Sequence, residues 1–88
     1  DVLVTIRFED GRATFRSGCN SGSGRATVSG DTITFGRLAS SVMGCVGPAG
    51  EIERSVMRVL QGTVGWSISG EELRLVTSDG RHELVYHR

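Results

Sequence analysis

The chain has 88 residues, and its ten basic side chains, all arginine, are matched by ten acidic ones, so the formal net charge is zero. That length fits one domain with one modest core, and the charge balance excludes a general nucleic-acid or anionic-membrane binder, which needs a positive surplus to release counterions. Apolar residues at 38% and charged residues at 23% exclude a disordered tail, and no apolar run is long enough to span a bilayer.

Val2, Val4, Ile6 and Phe8 alternate with Leu3, Thr5 and Arg7, the period of a strand with one apolar face. Glu9-Asp10-Gly11 predicts a hairpin turn, because Asp-Gly accepts the positive φ such turns need. The partner strand runs from about Arg12 to Ser17, with Ala13 and Phe15 inward. Gly18 to Gly24 (GCNSGSG) reads as a loop. A third strand follows with Ala26 and Val28 inward. After a Gly30-Asp31 turn, a fourth places Ile33 and Phe35 inward.

Leu38 to Gly44 fits an irregular strand better than a helix. Val46 to Gly50, with two glycines and the only proline, reads as a loop. Glu51 to Gln61 is the predicted helix: Ile52, Val56, Val59 and Leu60 form one apolar stripe, Glu51 and Glu53 fall in a first turn where the dipole favours negative charge, and Gly62 follows as a C-terminal cap. Three strands close the chain, carrying Val64, Trp66 and Ile68, then Leu73 and Leu75, then Leu84 and Tyr86, with turns at Gly70-Glu71 and Ser78-Asp79-Gly80. The expected fold is therefore α+β, a curled antiparallel β-sheet, open and barrel-like, with one α-helix covering an open side.

Several residue groups invite a chemical reading. Cys19 and Cys45 are compatible with one disulfide, closing a loop of 25 intervening residues, or with two buried thiols. Cys19 with His82 or His87 has the residue types of a thiol nucleophile and its base, but no third orienting group stands out, and structural cysteines are the expectation. Two Cys and two His lack the spacing of a zinc site, so no metal or cofactor is expected. The glycine-rich loop holding Gly18 and Asn20 precedes a strand rather than a helix and has no lysine, which argues for a tight connection rather than a phosphate cradle. Phe15, Phe35 and Trp66 are expected in the core, or lining a cavity for an apolar ligand in an incompletely filled barrel. Arg7, Arg12, Arg16 and Arg25 line up across neighbouring strands, either as a solvated face or as a surface for an anionic partner.

These elements resemble a known family. Phe8-Glu9-Asp10-Gly11, then Gly18-Cys19-Asn20, then Ala39-Ser40-Ser41-Val42-Met43-Gly44-Cys45, then a helix and the closing Ile68-Ser69-Gly70-Glu71-Glu72-Leu73-Arg74-Leu75, follow the pattern of the META domain, also called HslJ-like. Gly18, Asn20, Ser40 and Met43 then stand at family-motif structural positions. Ser41, Val42 and Gly44 depart from the usual Thr, polar or basic residue, and Ala.

The resemblance implies one META-type domain over residues 1–88, lacking the family's usual first strand or excised from a longer protein. It also implies a bacterial cell-envelope or secreted setting, periplasmic or lipid-anchored, tied to heat-shock and antibiotic stress, without enzymatic activity. The expected function is protein–protein contact through an exposed sheet edge, with a protein partner or a second copy. A small apolar-ligand carrier is the alternative.

Overall fold

A computed structural model describes residues 3–41, 44 and 46–87. The elements follow as β1 (Leu3–Glu9), β2 (Arg12–Gly18), β3 (Ser21–Ser29), β4 (Thr32–Ser40), α1 (Gly47–Val59), β5 (Gly62–Ser69), β6 (Glu72–Thr77) and β7 (Glu83–His87). Each strand pairs antiparallel with its neighbour in sequence, giving one seven-stranded sheet in the order β1 to β7. This is the curled antiparallel sheet with one helix that the strand patterning predicts. The β1–β2 turn has Asp10 at φ 53° and Gly11 at φ 75°, positive at both central positions, which matches the right-handed twist of the flanking strands.

Val28, expected inward, is 54% exposed near the end of β3, and Leu38 to Ser40 is the end of β4 rather than the start of an irregular strand reaching Gly44. Two larger segments also differ from the sequence expectation. The glycine run is not a loop: only Cys19 and Asn20 lie between β2 and β3, and the rest is the head of β3. Gly22 sits opposite Ser40 and Gly24 opposite Leu38. A Cβ on Gly22 would fall 2.2 Å from the Ala39 carbonyl oxygen, and one on Gly24 2.5 Å from Leu38 Cδ2. Glycine is needed here because β4 passes too close for a side chain, at a point where a register shift between Gly24 and Ala26 bends the sheet.

The second difference is the start of the helix. The expected loop from Val46 to Gly50 is largely its first turn, with Pro48 at the beginning, where a fixed φ suits the helix and the missing N–H has no acceptor to lose. Glu51 and Glu53 therefore lie beyond the first turn, and the dipole argument does not apply to them. Gly62 takes φ 65° just past the helix, as a C-terminal stop requires.

Helix α1 packs chiefly on β2 and reaches β6 and β7. Its Val56 and Val59, together with Leu60, are buried against Phe15, Ile33, Val64 and Leu75. Phe8 and Phe35 stack obliquely with centroids 6.3 Å apart. The apolar face of β5 does not stay inside: Val64 is buried, Trp66 half-buried and Ile68 65% exposed, as the strand runs out past the core. The sheet curls until β1 approaches β7, but among the described residues no hydrogen-bonded ladder joins them, and each is paired on one side only.

Candidate functional site

The inward face of β2 reads Ala13, Phe15, Ser17, and all three are buried. A serine at the end of an apolar row must find a polar partner. Ser17 closes the β2–β3 reversal through its backbone, its N–H donating to the Asn20 carbonyl at 2.9 Å. The Ser17 hydroxyl lies between that carbonyl oxygen, at 3.2 Å, and Glu53 Oε1. Its one proton favours the carboxylate, because bonds to an ionised acceptor are stronger.

Asn20, 6% exposed, extends the network in two directions. Its Nδ2 donates to Glu53 Oε2, so the carboxylate accepts from both reversal residues, one on each oxygen. Its Oδ1 accepts from the Ser41 hydroxyl at 3.1 Å. That hydroxyl in turn accepts from the Ser21 N–H at 3.1 Å, while the Ser41 N–H donates to the Ser21 carbonyl at 2.9 Å. The segment following β4, the β2–β3 reversal and the helix are thus pinned to one another through Asn20.

Cys19, at the apex of the reversal, is disulfide-bonded. Its expected partner Cys45 and the motif residue Met43 lie outside the described residues, as does Val42. With its sulfur in a disulfide, Cys19 presents no thiolate. The histidines serve elsewhere: the His82 backbone closes the β6–β7 turn on Thr77, and His87 Nδ1 stands 4.0 Å from Glu72. Among the described residues no three His, Cys, Asp or Glu side chains form a group that could hold a metal ion.

The other sequence-selected residues fall as follows. Gly18 takes φ 111° at the end of β2. Ser40 is exposed at the end of β4, paired with Gly22. Phe15 and Phe35 are core residues, 1% and 5% exposed. Trp66 packs against that core from the side and donates its indole N–H to the Gly30 carbonyl at 3.0 Å. Three cavities among the described residues are lined by other side chains.

Two residues escaped the sequence reading. Glu53 reads from the sequence only as an acidic residue in the helix's first turn, yet it shares a helical face with Val56 and Leu60, and a carboxylate on an apolar stripe was the available signal. Ser17 continues the inward alternation of Ala13 and Phe15 and carried the same kind of signal.

A second feature is the gap between β1 and β7. A groove of about 290 Å³ opens there, lined by Ile6 of β1, Leu73 of β6, Tyr86 of β7 and the exposed Ile68. The Tyr86 hydroxyl is buried without a hydrogen-bond partner among the described residues, and burial pushes its pKa up to about 12.

The META domain model matches residues 1–88. The chain belongs to the META domain family. Two solved structures share the fold. A protein from Burkholderia xenovorans, determined by NMR, superposes with a TM-score of 0.77 at 24% identity, over 99% of this chain and 64% of that one. A second NMR structure gives a TM-score of 0.74 at 24% identity, over 93% of this chain and 69% of the other. The chain thus spans about two thirds of the length of these two structures. No curated protein matches it. Within the META fold described here, no helix among the described residues is long and apolar enough to cross a membrane.

Proposed function

We propose that this META domain is a non-enzymatic interaction module of the bacterial cell envelope, serving stress tolerance, that takes up an extended strand from a partner protein between β1 and β7. One observation carries the reading: β1 and β7 approach each other across a groove with apolar side chains on its walls and Glu71, Glu72 and His87 at its rim, yet among the described residues each is hydrogen-bonded to a neighbouring strand on only one side. An unpaired strand edge offers a row of backbone donors and acceptors that another strand can satisfy. Ile6, Leu73 and Tyr86 beside it match alternate apolar residues of the incoming strand, and Glu71 at the groove's rim matches a basic residue at its end. The disulfide at Cys19 supports an oxidising compartment.

The test is amide hydrogen exchange, followed by NMR, during titration with a ten-residue peptide of alternating Val and Thr flanked by lysines. New protection confined to β1 and β7 is expected. Unchanged exchange in both strands, or sedimentation showing that two copies of this chain occupy each other's edges, would overturn the proposal. The carrier alternative expected a cavity lined by Phe15, Phe35 and Trp66, and none of the three cavities described above is lined by them. The stress role is read from growth at raised temperature and under antibiotic of a strain lacking the gene, which should fall behind its parent.

A further inference from the structure

The outer face of β1, β2 and β3 carries a charge arrangement that neither the core nor the seam explains. The register sets nine outward side chains in three rows: Glu9, Arg12, Arg25; then Arg7, Thr14, Ser23; then Thr5, Arg16, Ser21. The four arginines are exposed, and among the described residues none has a carboxylate partner within ion-pair distance; Arg12 reaches only the Ser23 hydroxyl, at 3.4 Å. Arg12 and Arg25 stand directly opposite each other, and like charges in that position destabilise a sheet.

The grid also shapes the space beside its arginines. A Cβ on Gly36 would lie 3.3 Å from Arg25 Cβ, so glycine in β4 leaves room for the Arg25 side chain. Arg37, also exposed, follows at the adjacent register shift.

From this grid we infer that the outer face of β1–β3 binds an anionic polysaccharide through its sulfate or phosphate groups. Strand spacing sets Arg12 and Arg25 about 4.8 Å apart across the sheet, with Arg7 one row, about 6.8 Å, and Arg16 two rows, about 13.6 Å, further along it, and each guanidinium can fork onto two oxygens of one anionic group. The hydroxyls of Thr5, Thr14, Ser21 and Ser23 between them suit sugar hydroxyls. The grid holds no aromatic side chain on which a base could stack and no apolar one to enter a bilayer, which favours a glycan over a nucleic acid or a membrane. Because the whole chain is neutral, the attraction is local to this face.

The experiment is calorimetric titration with a heparin hexasaccharide, alongside phosphatidylglycerol vesicles and a twelve-base-pair DNA duplex. Four phosphate-like contacts predict an affinity that falls about 20-fold when salt rises threefold. Arg12→Thr/Arg25→Thr should weaken binding at least about 10-fold, whereas Arg54→Ser/Arg58→Ser, which removes the same charge from α1, should change it less than about twofold. Relief of the facing like charges should also raise the thermal midpoint of the first variant, so that lost binding is separable from lost folding. No binding of the hexasaccharide, equal losses in the two variants, or tighter binding to vesicles or duplex would overturn the inference. A lowered midpoint would overturn its like-charge premise.

Discussion

The chain turns back on itself at two places dense in side-chain hydrogen bonds, and the two are built for different surroundings. At the β2–β3 reversal, Ser17 and Asn20 are buried and converge on one carboxylate brought from α1. At the β6–β7 turn, Asp79 accepts from the Thr77 hydroxyl at 2.7 Å and from the Arg81 N–H at 2.9 Å, but the cluster is exposed and entirely local. The first ties together elements 36 residues apart, so removing one member strands a desolvated polar group. The second organises a turn that water can also satisfy. Hydrogen bonds of similar appearance therefore differ in consequence according to what replaces them.

The same division separates the arginines. Arg74 on β6 lies 2.8 Å from Glu83 and 3.9 Å from Glu72, while the arginines of β1–β3 face solvent, with Arg12 and Arg25 opposite each other. The exposed pairs of Arg74 contribute little; the unmatched face is where charge is concentrated.

Disruption at the buried reversal should have the largest effect. Replacing Cys19 by Ser should destabilise the domain by about 3–4 kcal/mol, the chain-entropy value for a loop of this length, if Cys45 is its partner. Peptide mapping without reduction checks that pairing, and urea unfolding checks the magnitude. Asn20→Ala should cost about 2–3 kcal/mol and Glu53→Gln somewhat less, because the amide keeps one acceptor. A double-mutant cycle between them should show coupling, whereas additive losses would mean that the contact does not hold α1 to the reversal.

A smaller effect is expected at the seam. Tyr86→Phe removes a buried hydroxyl that has no partner and should be neutral or stabilising by about 1 kcal/mol. The unfolded phenol releases its proton near pH 10.0 and the folded one near 12. The unfolded state therefore binds fewer protons in that window, and stability should fall as pH rises through it. The phenylalanine variant should lack that alkaline loss in thermal melts.

The smallest effect belongs to Asp79. Its carboxyl is held below the usual 3.8 by the Thr77 hydroxyl and then by the Arg81 N–H. Its contribution is present at neutral pH and lost as pH falls through the folded value. Asp79→Asn should leave the neutral-pH midpoint almost unchanged and flatten only the acid end of the profile. A loss as large as that of Asn20→Ala would erase the distinction between the two turns.

Much of the architecture is legible along the chain because a strand's inward and outward sides alternate with period two. Ala13 and Phe15, Ile33 and Phe35, and Leu75 declare the core before any coordinates are known, and Asp10-Gly11 declares its turn. The glycines of β3 and the Pro48 turn were misleading for one shared reason. Residues that break regular structure in isolation are also those required where backbones crowd, or where a helix begins without needing an N–H. That choice depends on how near β4 passes, which no local pattern carries.

The site divides in the same way. Gly18, Cys19 and Asn20 stand out as a motif, but their partner Glu53 is far along the chain and looks like an ordinary helical surface residue. Sequence alone determined most of the inward faces and the neutral charge, since these follow from nearest-neighbour periodicity and composition; it left the strand count open at Leu38 to Gly44 and placed Val28 and Ile68 inward, where they are exposed. Only the tertiary structure decided that Glu53 is an acceptor, that β1 and β7 face across an apolar gap, and that four arginines share one grid. Each of these depends on how far the sheet curls and on the register between strands, which are set by packing of the whole molecule.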